Sequence, residues 1–136
     1  MSDFDIIQPA GWKAPRGYSN GVLVPEGART LFIAGQIAWD REQRLVGGAD
    51  FAAQFRQALS NVAAILEKAG GNKARLVRLT IYVTDQRAYA ASTKEIGVAW
   101  REIIGPWYPA MTLVVVARLL EDGALVEIEG TAVVTK

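Results

Sequence analysis

Two carboxylates stand two residues apart in Val126-Glu127-Ile128-Glu129, with apolar side chains at the alternate positions. That period of two places Glu127 and Glu129 on one side of a strand whose other side faces a core. A carboxylate there that also faces an apolar cleft loses solvation, which raises its pKa and suits it to orient or deprotonate water. The alternative is a pair of solvated carboxylates on a strand edge, each balanced by a lysine or an arginine. The 136 residues contain no histidine and no cysteine, so proton transfer rests on Asp, Glu, Lys, Tyr, backbone groups or water. Ser-His-Asp triads, thiolate nucleophiles, cysteine-ligated zinc and a ribonuclease built on paired histidines are excluded. No metal-ligand cluster, glycine-rich phosphate loop or dinucleotide fingerprint occurs, so neither a metal nor a cofactor is expected.

Three further places have chemistry to offer. Met111-Thr112 precedes an apolar run and could floor a pocket for a neutral or apolar ligand, with the Thr112 hydroxyl as its polar handle. Equally, Met111 could fill a gap where a buried strand begins. Gly35 follows Leu31-Phe32-Ile33-Ala34 and permits a close backbone approach, its N–H free for a bound carbonyl or carboxylate. A plain strand-ending turn explains that glycine as well. Trp12, Trp39, Trp107 and Tyr108 fall in loops or strand ends, where packing at a subunit interface is expected of them.

The elements that position these residues are legible from pattern. Tyr18 to Pro25 and Leu31 to Ala34 read as strands, and Asp40 to Gly48 as a polar loop. Asp50 is a good N-cap for a helix with Phe51, Phe55, Leu59, Val62 and Leu66 on one face, stopped by Gly70-Gly71. Val77, Leu79, Ile81 and Val83 alternate with polar residues as in a half-buried strand. Asp85 then caps a second helix carrying Tyr89, Ile96, Trp100 and Ile103, ending at Gly105-Pro106. Leu113 to Ala117 is apolar without a break, which asks for cover on both faces, and Leu125 to Val134 alternates. The order is that of an α+β sandwich in one domain, 1–136. Two helices cover only one side of such a sheet, so self-association through the open side is expected.

Composition narrows the partners. Hydrophobic residues make up 51% of the chain, and 15 basic side chains nearly balance 14 acidic ones for a net charge of +1. Nothing there attracts nucleic acid or an anionic membrane. No apolar run is long enough to span a bilayer, and the acidic start Met1-Ser2-Asp3-Phe4-Asp5 lacks the features of a secretory signal. A cytoplasmic location is the expectation.

Several segments, taken together and in order, resemble the Rid family, also called YjgF or endoribonuclease L-PSP. They are Tyr18-Ser19-Asn20-Gly21, Leu31-Phe32-Ile33-Ala34-Gly35-Gln36-Ile37, and Gln54-x-x-Gln57-Ala58-Leu59-x-Asn61-Val62 with Ala69-Gly70. Val77-x-x-Thr80-x-Tyr82-Val83-Thr84-Asp85, Pro109-Ala110-x-Thr112-x-Val114-x-Val116-Ala117 and Val126-Glu127-Ile128-Glu129 complete the match, which runs from Tyr18 to Val134. The resemblance implies a chorismate-mutase-like fold: a mixed sheet of about six strands with two helices on one face, assembled as a homotrimer. It implies small-molecule pockets in the clefts between subunits, with Tyr18 in the pocket. It also implies hydrolysis of enamine or imine intermediates to ketoacids and ammonia, with Glu127 orienting the water.

Three positions depart from the family pattern. Met111 stands where an arginine would grip the substrate carboxylate, Ala34 where a serine precedes Gly-Gln, and Thr93 in place of an asparagine. Ala34, Gly35, Thr93, Met111 and Thr112 join Tyr18 as ligand-binding candidates, expected in one pocket. A thioether cannot replace a bidentate cation, so the usual 2-iminobutanoate is not the expected substrate. A non-catalytic trimer that binds a ligand or a partner protein is the alternative, and an endoribonuclease the weakest reading.

Overall fold

The computed structural model describes residues 4–134. The strands are β1 (Asp5–Ile7), β2 (Gly21–Leu23), β3 (Arg29–Gln36), β4 (Leu76–Val83), β5 (Ala110–Val115) and β6 (Val126–Val134). The helices are α1 (Phe51–Lys68), α2 (Gln86–Ala91) and α3 (Thr93–Ile103). Four strands form a mixed sheet in the order β3-β6-β4-β5, with β6 antiparallel to both neighbours and β5 parallel to β4. The fold is thus α+β, with a mixed sheet as expected.

The six strands are divided four and two rather than joined in one ladder, because β1 and β2 pair only with each other. The N-terminal segment meets β5 at a single bridge, Ser19 to Ala110, just after Pro109. That bridge is tight: Ser19 N–H donates to the Pro109 carbonyl at 3.0 Å and its hydroxyl to the Tyr108 carbonyl at 2.6 Å.

Helix α1 follows its sequence signals closely. The Asp50 carboxylate accepts from Ala53 N–H at 3.2 Å, which satisfies one of the orphan donors of the first turn. At the other end Gly70 adopts φ +88°, with Gly71 N–H bonded to Leu66 O and Gly70 N–H to Glu67 O. This is a Schellman stop, which needs a left-handed residue at Gly70. The second helix departs from expectation, since Ser92, at ψ 9°, separates α2 from α3. Ser92-Thr93 is a pair whose hydroxyls compete for backbone partners. Asp85 still caps α2, accepting from Arg87 and Ala88 N–H.

One core joins the inner side of the sheet to the helices. Ile33, Leu79, Ile81, Val83, Val126 and Ile128 are buried against Phe55, Leu59, Val62 and Leu66 of α1 and Ala99 and Trp100 of α3. The outer side is open over much of its extent, and Phe32 on it is 79% exposed. Strand β5 does not have the cover expected on both faces, for it is an edge strand: Val114 is 37% and Val115 53% exposed.

Gln54 is fully buried among these apolar groups. Its amide donates to the Gly48 and Gly123 carbonyls at 2.7 and 2.9 Å and accepts from Leu125 N–H at 2.9 Å. Two distant loops are thereby fastened to α1. Gln54→Leu strands all three backbone groups, and urea denaturation should show a loss of about 2–4 kcal/mol. A loss under about 1 kcal/mol would mean that water replaces those bonds.

Candidate active site

A bulge in β3 shapes the site. Ile33 pairs with Gly130 and Gln36 with Ile128, so three steps on β3 match two on β6. The extra residue turns Ala34-Gly35 out of the regular ladder. Gly35 then lies directly against the Glu127 carboxylate, with so little room that a methyl group at position 35 would collide with it. The absence of a side chain there answers a close approach and not a special φ, for Gly35 is not among the positive-φ glycines.

Glu127 and Gly35 help to line a cavity of about 730 Å³, together with Gln36, Trp39, Gln57 and Asn61. Its rim loop is held by α1: the Asn61 amide donates to the Ile37 and Trp39 carbonyls at 3.1 and 3.0 Å, and the Gln57 amide to Trp39 O at 3.3 Å. Asp40 folds the tip of that loop. The N–H groups of Arg44 and Glu42 each bond its carboxylate at 2.9 Å, and these bonds hold it below the usual carboxylate pKa despite some burial.

The two carboxylates of β6 are not equivalent. Glu129 accepts a hydrogen bond from the Tyr82 hydroxyl at 2.9 Å. Glu127 is half-buried and has no hydrogen bond or ion pair among the described residues, although its charge is felt at Tyr82. Neither lies on a strand edge, because β6 is central in the sheet. Glu129 is thus tied to Tyr82, and Glu127 is not.

The remaining candidates lie elsewhere in the chain. Tyr18, Met111 and Thr112 share a recess of about 180 Å³ with Arg78. Thr93 and Met111 share another, of about 240 Å³, with Arg16, Trp100 and Tyr108. Ala34 lines a groove on the outer side of the sheet beside Phe32 and Arg78. The expectation that Ala34, Thr93 and Met111 meet in one pocket therefore does not hold within one chain. The reason is the strand order: β3 and β5 are opposite edges of the sheet, three spacings or about 14 Å apart.

Two of the loop aromatics have partners within the chain. The Trp107 indole N–H donates to Leu76 O at 2.7 Å, and Tyr108 stacks on Trp100 at 5.8 Å, so both are engaged within the chain. Arg16 and Arg78 line these recesses although no motif in the sequence singles them out. Arg78 was discoverable as a polar residue in the alternation of β4, opposite Ala110 in register.

Among known proteins, a family model described as endoribonuclease L-PSP matches residues 11–134. A RutC family protein of Haemophilus influenzae is 46% identical over 121 residues, 89% of this chain and 92% of the relative. A Rid family protein of unknown function, YyfB from Yersinia pestis, superposes with a TM-score of 0.86 at 34% identity, covering 98% of this chain and all of the other. TdcF from E. coli, crystallised with bound serine, gives 0.68 at 29% identity over 90% of this chain and 91% of the other. The chain belongs to the Rid (YjgF, endoribonuclease L-PSP) family.

Tyr82 offers a pH test of the Glu129 contact. The Glu129 hydrogen bond, then burial and the charges of Glu129 and Glu127, raise its pKa above the ordinary 10.0. As pH rises through about 10, the unfolded chain gives up this proton before the folded one does, so stability falls across that range. Urea midpoints between about pH 9 and pH 11 should fall more steeply in the wild type than in Tyr82→Phe. Parallel slopes would show that the contact does not persist in solution.

Proposed function

We propose that the chain is a hydrolase of enamine- or imine-like metabolites, with Glu127 as the residue that handles water. The observation that carries this reading is Glu127 itself, half-buried on a cavity wall with no hydrogen-bonding or ionic partner among the described residues. A water bound to that carboxylate gives up a proton as its oxygen bonds to the imine carbon. The carboxylate delivers that proton to the nitrogen, then takes the proton of the new hydroxyl and passes it on as the C–N bond breaks, so that a carbonyl compound and ammonia leave. Bound serine in the E. coli relative supports a ligand of amino-acid size for this fold. Met111 leaves the family's usual carboxylate grip without a cation, which argues against 2-iminobutanoate as the substrate.

The working unit in this reading is a cytoplasmic homotrimer with ligand clefts between subunits, built from one domain spanning 1–136. Exposed Phe32 on the outer side and Val114 and Val115 on the β5 edge support self-association. Contact between copies would also bring β3-side and β5-side residues together, which one chain cannot do. In that cleft Tyr18, Ala34, Gly35, Thr93, Met111 and Thr112 contact the ligand.

A non-catalytic binding trimer is the second reading, favoured by the loss of polarity at Ala34, Thr93 and Met111. RNA cleavage is the weakest, since the chain is near neutral and has no histidine.

Ammonia release from imines generated in situ separates the first two. Glu127→Gln should lower the rate by about 10²–10⁴-fold with the fold intact. Gly35→Ala, which displaces the same carboxylate, should lower it too. Wild-type activity in Glu127→Gln overturns the assignment, and comparable rates on 2-iminobutanoate and on bulkier imines overturn the reading of Met111. Phe32→Asp should convert the sedimenting species from three copies to one, and an unchanged mass would remove the outer side of the sheet from the interface.

A further inference from the structure

The loop at Arg16-Gly17 lines the cavity that Thr93 and Met111 share. This loop is well held. Gly17 turns it at φ +78°, and two residues on, Ser19 is bonded to the Tyr108 and Pro109 carbonyls at the head of β5. Arg16 therefore comes to the Met111 side of the molecule from outside the sheet, on a short anchored tether. It has no hydrogen bond or ion pair among the described residues, so its guanidinium is available. Behind it the wall is apolar and largely aromatic, with the Trp100–Tyr108 stack and Ile96, and the Thr93 hydroxyl is the small polar feature beside them.

We infer that Arg16 is the carboxylate-gripping cation of this protein and that the acid it holds has a flat or branched apolar body. This inference rests on the hydrolase reading above and names its substrate class: an imino or enamino acid bulkier than the four-carbon one. A cation beside an apolar wall selects a ligand with a charged end and a hydrocarbon end, because each compensates the desolvation of its counterpart. Planar guanidinium donors match both carboxylate oxygens at once. The volume, about 240 Å³, is below the roughly 300–1,000 Å³ usual for drug-sized ligands and suits a small metabolite. Met111 then supplies apolar floor where a second cation would be redundant.

The experiment uses the full chain and two probes of the same shape, phenylacetate and phenylacetamide, titrated into ¹⁵N-labelled protein. Phenylacetate should shift the amides of Gly17, Thr93 and Met111 and bind at least tenfold more tightly than the amide probe. Arg16→Gln should weaken phenylacetate at least tenfold and erase that preference, and Arg16→Lys should restore part of it. Lys68→Gln, the same loss of charge at the end of α1, should change neither. Equal binding of the two probes, shifts confined to other amides, or an Arg16→Gln variant with wild-type affinity would overturn the inference. Imine hydrolysis that depends on Glu127 but not on Arg16 sinks this inference and spares the hydrolase reading. Phenylacetate held through Arg16 by a protein that hydrolyses no imine does the reverse.

Discussion

Strand β6 serves both sides of the sheet at once, and the rest of the structure is arranged around that double duty. Its inner residues Val126, Ile128, Ala132 and Val134 are buried in the core, and so cannot move without exposing apolar area. Glu127 and Glu129 alternate with them and inherit their fixity. Position is therefore conferred on a carboxylate by its hydrophobic neighbours, at no cost in polar scaffolding. The bulge in β3 completes the arrangement, since it turns Gly35 out of the ladder and against one of the two carboxylates. Tyr82 holds the other. Two residues that look equivalent in the sequence are distinguished in their surroundings by a single hydrogen bond.

The parts of the fold written in local chemistry were legible. Asp50, the spacing from Phe51 to Leu66 and the Gly70-Gly71 stop determine α1 from within a short window, and the period of two marks β4 and β6. What depends on distant pairing was not. The unbroken run in Leu113 to Ala117 signals a demand for cover but not which partner supplies it, and in one chain β5 is an edge. The separation of α2 from α3 turns on the backbone at Ser92, where no glycine or proline signals it. Pairing of β1 with β2 outside the main sheet is likewise visible only once the strand order is known.

The site divides along the same line. Glu127 and Gly35 could be read as neighbours in kind but not in space, because their contact is made by a bulge. Tyr18 with Met111 and Thr112, and Thr93 with Met111, share recesses on the β5 side, whereas Ala34 lies across the sheet. Arg16 belongs to no motif and no periodic element, so the sequence alone does not connect it with Met111. A charge that disappears from a strand can be supplied by a loop that reaches the same cavity, and aligned motifs do not register that exchange. Arg16 lines the cavity that Thr93 and Met111 share, beside an apolar wall.

A crystal structure of the assembled protein soaked with phenylpyruvate would test the central claim most directly, since this keto acid has the carbonyl, the acid group and the apolar body together. The account predicts its carboxylate on Arg16, its ring beside Trp100 and Tyr108, and a water within about 2.6–3.2 Å of Glu127 facing the keto carbon. A keto acid bound with Glu127 turned away from it, or with its carboxylate in solvent, would contradict the account.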